Sequence, residues 1–170
     1  MAHKEQIEYC LSIKKKFPDY FIAKRVLDAG SMDINGNNNY LFEDCKITKL
    51  DLGEGKNVDT ICPVHKYKSG ILFDCIISTE MLEHDRYYEK SLKTMFDLLK
   101  SDGLLILTAA ANRRKEHGTH RTDVHSSPYT LDYYKNVTKE MIMGSMDMNK
   151  FKEFSLIIDA KDINFWGIKA

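Results

Sequence analysis

The sequence predicts an α/β fold, a doubly wound sheet of seven strands that is mostly parallel and ends in an antiparallel hairpin strand. Three observations predict it. Short apolar runs without polar alternation recur from Arg25 onward, the pattern of strands buried on both faces. A helical apolar stripe separates two of them and supplies the crossover that parallel neighbours need. The last two runs lie so close together that only a hairpin can join them.

Taken in order, residues 4–17 place Ile7, Cys10 or Leu11, and Phe17 at helical spacing, and Pro18 then ends a packing helix. Five strand-like runs follow: Arg25–Asp28, Ile47–Asp51, Val58–Cys62, Phe73–Ser78 and Leu104–Thr108. Between the fourth and fifth, Tyr88, Leu92, Met95, Phe96 and Leu99 form the stripe of a helix closed by the turn Ser101-Asp-Gly103. Thr138 is an N-cap candidate for a helix over Lys139–Met143. The runs Phe154–Asp159 and Ile163–Ile168 flank Ala160-Lys-Asp162 and make the hairpin. The methionines at 141, 143, 146 and 148 fit a greasy helix, and Trp166 reads as core.

At 170 residues the chain has the length of one domain, residues 1–170, because two halves would each be too small to bury a core. Lys plus Arg number 25 against 25 Asp plus Glu, a formal net charge of zero, so no general electrostatic argument favours a nucleic-acid partner or an anionic membrane. Four scattered cysteines without a CxxC pair suit buried thiols in a reducing, cytoplasmic setting. The N-terminus has no uninterrupted apolar stretch, and the run Leu104–Ala111 is too short to span a bilayer.

Ligands of an open α/β sheet lie beyond the carboxyl ends of its strands. After the first run comes Asp28-Ala-Gly30-Ser-Met-Asp33-Ile-Asn-Gly36-Asn. Gly30 permits a backbone turn closed to other residues, and Asp28 and Asp33 offer acceptors to a cationic or hydroxylated ligand. A plain Gly/Asn-rich turn would look the same. Asp51 ends the next run twenty-three residues after Asp28, close to the offset at which a carboxylate meets ribose hydroxyls. Gly-x-Gly-x-x-Gly is absent, and a carboxylate at the loop's start suits a sulfonium or ammonium group better than a pyrophosphate.

The segments Val26-Leu-Asp-Ala-Gly-Ser-Met-Asp-Ile-Asn-Gly36, Leu50-Asp-Leu52, Phe73-Asp-Cys-Ile-Ile-Ser-Thr-Glu-Met-Leu-Glu-His84 and Leu98-Leu-Lys-Ser-Asp-Gly-Leu-Leu-Ile-Leu107 resemble a class I S-adenosylmethionine-dependent methyltransferase of the small "type 11" branch. The resemblance covers nearly the whole chain and implies a Rossmann-like sheet with S-adenosyl-L-methionine as cofactor. Carried over residue by residue, it implies that Asp28, Gly30, Ser31 and Asp33 surround the methionine part. Asp51 would hold the ribose, Leu52, Val64 and His65 would flank the adenine, and Ser78, Thr79 and Met81 would lie beside the sulfonium. Pro63 stands where the family often has Asp, which leaves the adenine amino group to backbone contacts.

The methyl donor is already activated, so the protein must align the acceptor and, for a hydroxyl, remove a proton. Candidate bases are His84, which follows Glu83 beyond the fourth strand, and Glu116, His117 and His120 in the loop after the fifth. Capping of the loop, or a solvated charged loop, are the plain alternatives. Arg113, Arg114 and Arg121 suggest a grip on an anionic acceptor, and Tyr129, Tyr133 and Tyr134 suggest either a pocket wall or packing. His117, His120, Asp123 and His125 lack a recognised ligand spacing, so no metal is expected. The expected activity is O-methylation of a sugar, glycan or other small-molecule hydroxyl. The alternatives are a nucleotide-dependent Rossmann oxidoreductase and an inactive cofactor-binding regulatory domain.

Overall fold

The computed structural model describes residues 3–170. Its seven strands are β1 (Arg25–Ala29), β2 (Lys46–Asp51), β3 (Thr60–Ile61), β4 (Phe73–Thr79), β5 (Leu99–Ala110), β6 (Phe151–Asp159) and β7 (Asp162–Lys169). They form one sheet in the order β3-β2-β1-β4-β5-β7-β6. The pairs from β3 to β5 are parallel, and β7 runs antiparallel to both β5 and β6. Its α-helices are α1 (Lys4–Lys16), α2 (Tyr88–Leu98) and α3 (Lys139–Ser145).

Alternating strand residues feed two cores. On one face Leu27, Leu50, Ile76, Leu105, Leu107 and Phe165 pack with Leu92, Met95 and Phe96 of α2 and Ile142 of α3. On the other, Val26, Cys75, Ile77, Leu104, Ile106 and Trp166 meet Cys10 and Ile13 of α1 with Phe21 and Leu41. Trp166 is therefore core, its ring 4.8 Å from that of Phe17. Thr138 caps α3, its side chain accepting from the Met141 amide.

Three boundaries differ from the sequence expectation. Leu99 belongs to β5 rather than to α2, and the Ser101-Asp-Gly103 turn is a bulge inside the strand, between the register pairs Phe73–Leu99 and Cys75–Leu104. A core-facing residue at the junction fits either period, which is why the stripe overran. The third strand shrinks to two residues, and β6 begins at Phe151 rather than Phe154.

Among the described residues, the crossover from β4 to β5 is the only parallel one made by an α-helix. Residues 30–45, between β1 and β2, contain a single 3₁₀ turn at Asn39–Leu41, and the passage from β3 to β4 has another at Val64–Lys66. Side-chain bonds replace the helix: Asp33 accepts from the Gly36 amide at 2.8 Å and from Asn37 Nδ2 at 3.0 Å. Asn57 Nδ2 donates to the Ser31 carbonyl at 2.8 Å, and Ser31 Oγ donates to the Asn57 carbonyl at 3.0 Å. No described helix is long and apolar enough to cross a membrane.

A candidate active-site cleft

The chain leaves β1 for β2 on one side and reaches β4 on the other, so the switch point lies between β1 and β4. A cleft of about 500 Å³ opens there, and Asp28, Gly30, Ser31, Asp51, Leu52, Val64, His65, Thr79, Met81 and His84 all line it.

Asp28, next to last in β1, is almost wholly buried. Its Oδ1 accepts from Asn38 Nδ2 at 3.0 Å, and the same amide nitrogen reaches Thr79 Oγ1 at 3.1 Å. Burial pushes the Asp28 carboxyl up to about 7, with Asn38 opposing the shift and Asp51 adding to it. Gly30 follows at φ +84°, where a Cβ would stand 2.6 Å from Met81 Cγ, so both conformation and space demand glycine. Asp51 closes β2 with Oδ2 accepting from the Met32 amide at 2.9 Å and Oδ1 from the Leu52 amide at 2.7 Å. Each oxygen keeps a further lone pair for a ligand hydroxyl. Burial raises its carboxyl as well.

Two residues expected at the cofactor are not among those lining the cleft. Asp33 is outside the cleft lining. It receives Lys56 Nζ at 2.7 Å besides its two loop bonds, and Lys56, Asn37 and the Gly36 amide hold its carboxyl down to about 2. Its work is to shape the loop. Ser78 is fully buried below the cleft floor.

The loop after β5 supplies a lid, through a different stretch from its basic cluster. Ser126–Leu131 line the cleft, and Tyr129 Oη donates to the Glu54 carbonyl at 3.2 Å, strapping the lid to the loop after β2. Arg114 turns inward to Asp162 at 2.5 Å and Glu80 at 3.7 Å. Arg121 pairs with Glu116 at 2.6 Å, and Glu116 also receives Thr119 Oγ1 at 2.6 Å. His120 pairs with Asp132 at 3.1 Å. Glu116, His117 and His120 do not line the cleft; the cations at its mouth are Lys66, Arg86 and Lys90.

His84 is the one candidate base on the cleft wall. Its Nδ1 lies 3.4 Å from the Tyr133 carbonyl. Burial pushes the imidazole down to about 4, aided by His117, so it is neutral near pH 7. His117 stands behind it, ring centroids 5.0 Å apart, and Tyr134 packs its edge on both rings. Sequence reasoning missed Asn38, whose only signal was the polar run Asn37-Asn-Asn39, and Glu80, which lines the cleft at φ +54°.

No family model and no curated protein sequence matches the chain. Solved structures do. A Burkholderia thailandensis 1,6-didemethyltoxoflavin-N1-methyltransferase with bound 1,6-didemethyltoxoflavin and S-adenosylhomocysteine aligns over 99% of this chain and 92% of its own, with TM-score 0.60 and 15% identity. The fold is that of the S-adenosylmethionine-dependent methyltransferases. The N-methyltransferase NodS from Bradyrhizobium japonicum WM9 covers 96% of this chain and 95% of its own at TM-score 0.59 and 14% identity. The Haemonchus contortus phosphoethanolamine N-methyltransferase 2, in complex with S-adenosyl-L-methionine, reaches TM-score 0.67 at 13% identity over 95% of this chain and 52% of its own. In this methyltransferase fold the cleft occupies the switch point between β1 and β4, with Asp28 and Asp51 at the ends of adjacent strands.

Proposed function

We propose that the chain, taken as one catalytic domain, transfers the methyl group of S-adenosyl-L-methionine to a hydroxyl of a small-molecule acceptor, a sugar or glycan hydroxyl foremost. One observation carries the reading: Asp28 and Asp51 lie at the carboxyl ends of neighbouring strands and face one cleft, beside a loop that turns at Gly30. Asp51 takes the ribose hydroxyls on its free lone pairs. Asp28, whose carboxyl burial raises while the cleft is empty, ionises beside a cationic ligand, because an opposite charge favours the anion. Leu52, Val64 and His65 sandwich the adenine.

The acceptor enters from the side of β4, where Thr79, Met81 and His84 meet the lid. The acceptor oxygen forms its bond to the methyl carbon as the carbon–sulfur bond breaks, the electron pair returns to sulfur, and the hydroxyl proton leaves toward the cluster around His84. Lys66, Arg86 and Lys90 at the mouth suit an acceptor carrying phosphate or carboxylate. The four free cysteines accord with a reducing, cytoplasmic setting.

Binding of S-adenosylhomocysteine and of NAD, followed by calorimetry, tests the cofactor. The expected result is a complex with the former alone, and its absence sinks the reading. Transfer of a labelled methyl group to a panel of sugars, nucleotide sugars, phenols and amines tests the acceptor; product on amines alone would overturn the hydroxyl assignment.

A further inference from the structure

Glu83 is fully buried, and neither of its carboxylate oxygens has a hydrogen-bond partner. His117 Nε2 is equally orphaned and stands 3.8 Å from Glu83 Oε1. Buried polar atoms are almost always satisfied, so three orphans in one place call for a missing partner.

The histidines show what that partner is. His84 Nδ1 faces the Tyr133 carbonyl at 3.4 Å, and His117 Nδ1 faces the Lys115 carbonyl at 3.1 Å. A carbonyl only accepts, so both Nδ1 atoms carry the proton and both Nε2 atoms present a lone pair. One ligand atom from each of Glu83, His84 and His117 lies within 4.8 Å of the other two. Acceptor groups therefore converge on one buried spot, and among the described residues no Lys or Arg pairs with Glu83.

We propose that Glu83, His84 and His117 bind a divalent transition-metal ion of the zinc or manganese class, with an open position toward the cleft that His84 lines. Two imidazoles and one carboxylate suit such ions, whereas calcium and magnesium take mostly oxygen ligands. Ligands about 2.1 Å from one ion stand roughly 3.4 Å apart at the tetrahedral angle, so the side chains need close by about an ångström. The supporting shell is in place, since a carbonyl fixes each tautomer and Tyr134 packs on both rings. Gly118, at φ +69°, lets His117 come alongside: a Cβ there would stand 2.8 Å from His84 Cε1.

The role of the ion rests on the methyl-transfer reading above, and it reassigns His84 from base to ligand. Held by Glu83, His84 and His117, such an ion would supply Lewis acidity, lowering the pKa of an acceptor hydroxyl so that its proton passes to water and its oxygen can bond the methyl carbon as the carbon–sulfur electron pair returns to sulfur.

The test is metal binding by the chelator-stripped full chain, with Zn²⁺, Mn²⁺, Co²⁺ and Mg²⁺ added singly and bound metal counted by mass spectrometry. The expected result is one Zn²⁺, Mn²⁺ or Co²⁺ per chain, a visible d–d band with Co²⁺, and binding at least tenfold weaker in His117→Ala and in the near-isosteric Glu83→Gln. His125→Ala, at an exposed position before the lid, should bind as the wild type does. No stoichiometric ion on the folded wild type, or equal binding by wild type and His117→Ala, overturns the proposal. Titration with S-adenosylhomocysteine, run in parallel, separates the two readings. A chain that binds the nucleoside and no ion keeps the methyl-transfer reading and loses the metal, and a chain that binds the ion alone does the reverse.

Discussion

Two clusters of histidine and carboxylate stand around the same strand ends and differ in one respect, the presence of a fixed cation. In the first, Arg114 Nη1 binds Asp162 at 2.5 Å, Arg114 Nη2 approaches Glu80 at 3.7 Å, and His3 lies 3.5 Å from Glu80 and 3.3 Å from Asp162. Its charges are matched in large part: the His3 imidazole is raised and the Glu80 carboxyl is held low against the opposing effect of burial, while burial and Glu80 raise the Asp162 carboxyl. In the second, Glu83, His84 and His117 have no Arg among them; burial pushes the Glu83 carboxyl up to about 8 and the His84 imidazole down to about 4. The same residue types thus serve as a structural clamp where the chain supplies the positive charge, and as a receptor where it does not.

The largest expected effect breaks the first cluster. Arg114→Ala leaves Glu80 and Asp162 buried without their cation and should cost about 3–5 kcal/mol in urea unfolding; a loss under 1 kcal/mol would mean that the clamp is ornamental. Next comes Asp28, a carboxylate that Asn38 satisfies only in part. Its folded value of about 7 lies above the ordinary 3.8, so the folded chain holds a proton that the unfolded chain has lost. Its contribution to stability should therefore fall as pH rises from about 4 through 7, by about 4 kcal/mol without ligand. Asp28→Asn should make that profile shallower, leaving the share of Glu83, whose carboxyl burial raises to about 8, and an unchanged slope would refute the assignment.

Asp51→Ala comes third. Loss of a hydrogen-bonded carboxylate should weaken S-adenosylhomocysteine about ten- to a hundredfold by calorimetry. The smallest effect sharpens the contrast from the other side. His117→Ala removes a ring whose Nε2 has no partner and should cost no more than about 1 kcal/mol of metal-free stability, the range of an ordinary substitution. A loss as large as that of Arg114→Ala would make the second cluster structural too.

Much of this was legible in the chain. Runs such as Phe73–Ser78 and Leu104–Thr108 are visible because parallel strands are apolar on both faces, and Asp28 and Asp51 because strand ends carry the ligand-facing residues. The second cluster was half visible. Glu83 and His84 are neighbours, but His117 arrives from a loop without periodicity, so in sequence it groups only with that loop's own histidines, from which no metal is expected. Of these, His120 pairs with Asp132 and His125 is exposed. Arg114 shows the complementary blindness: a cationic side chain in a polar loop reads as an anion grip until its buried carboxylate partners are seen.

The non-helical passage from β1 to β2 has a consequence for motion. Residues 30–45 make few of the backbone bonds that a helix would provide and depend on Asp33, Asn37, Asn38 and Asn57 for their shape. Such a segment opens locally long before the sheet does. In deuterium exchange its amides should trade within the fast fraction, the amides of β4 and β5 should persist, and an occupied cleft should slow the loop alone. The floor of the cleft would then behave as a solid and its wall as a hinge-less flap that the ligand itself sets in place.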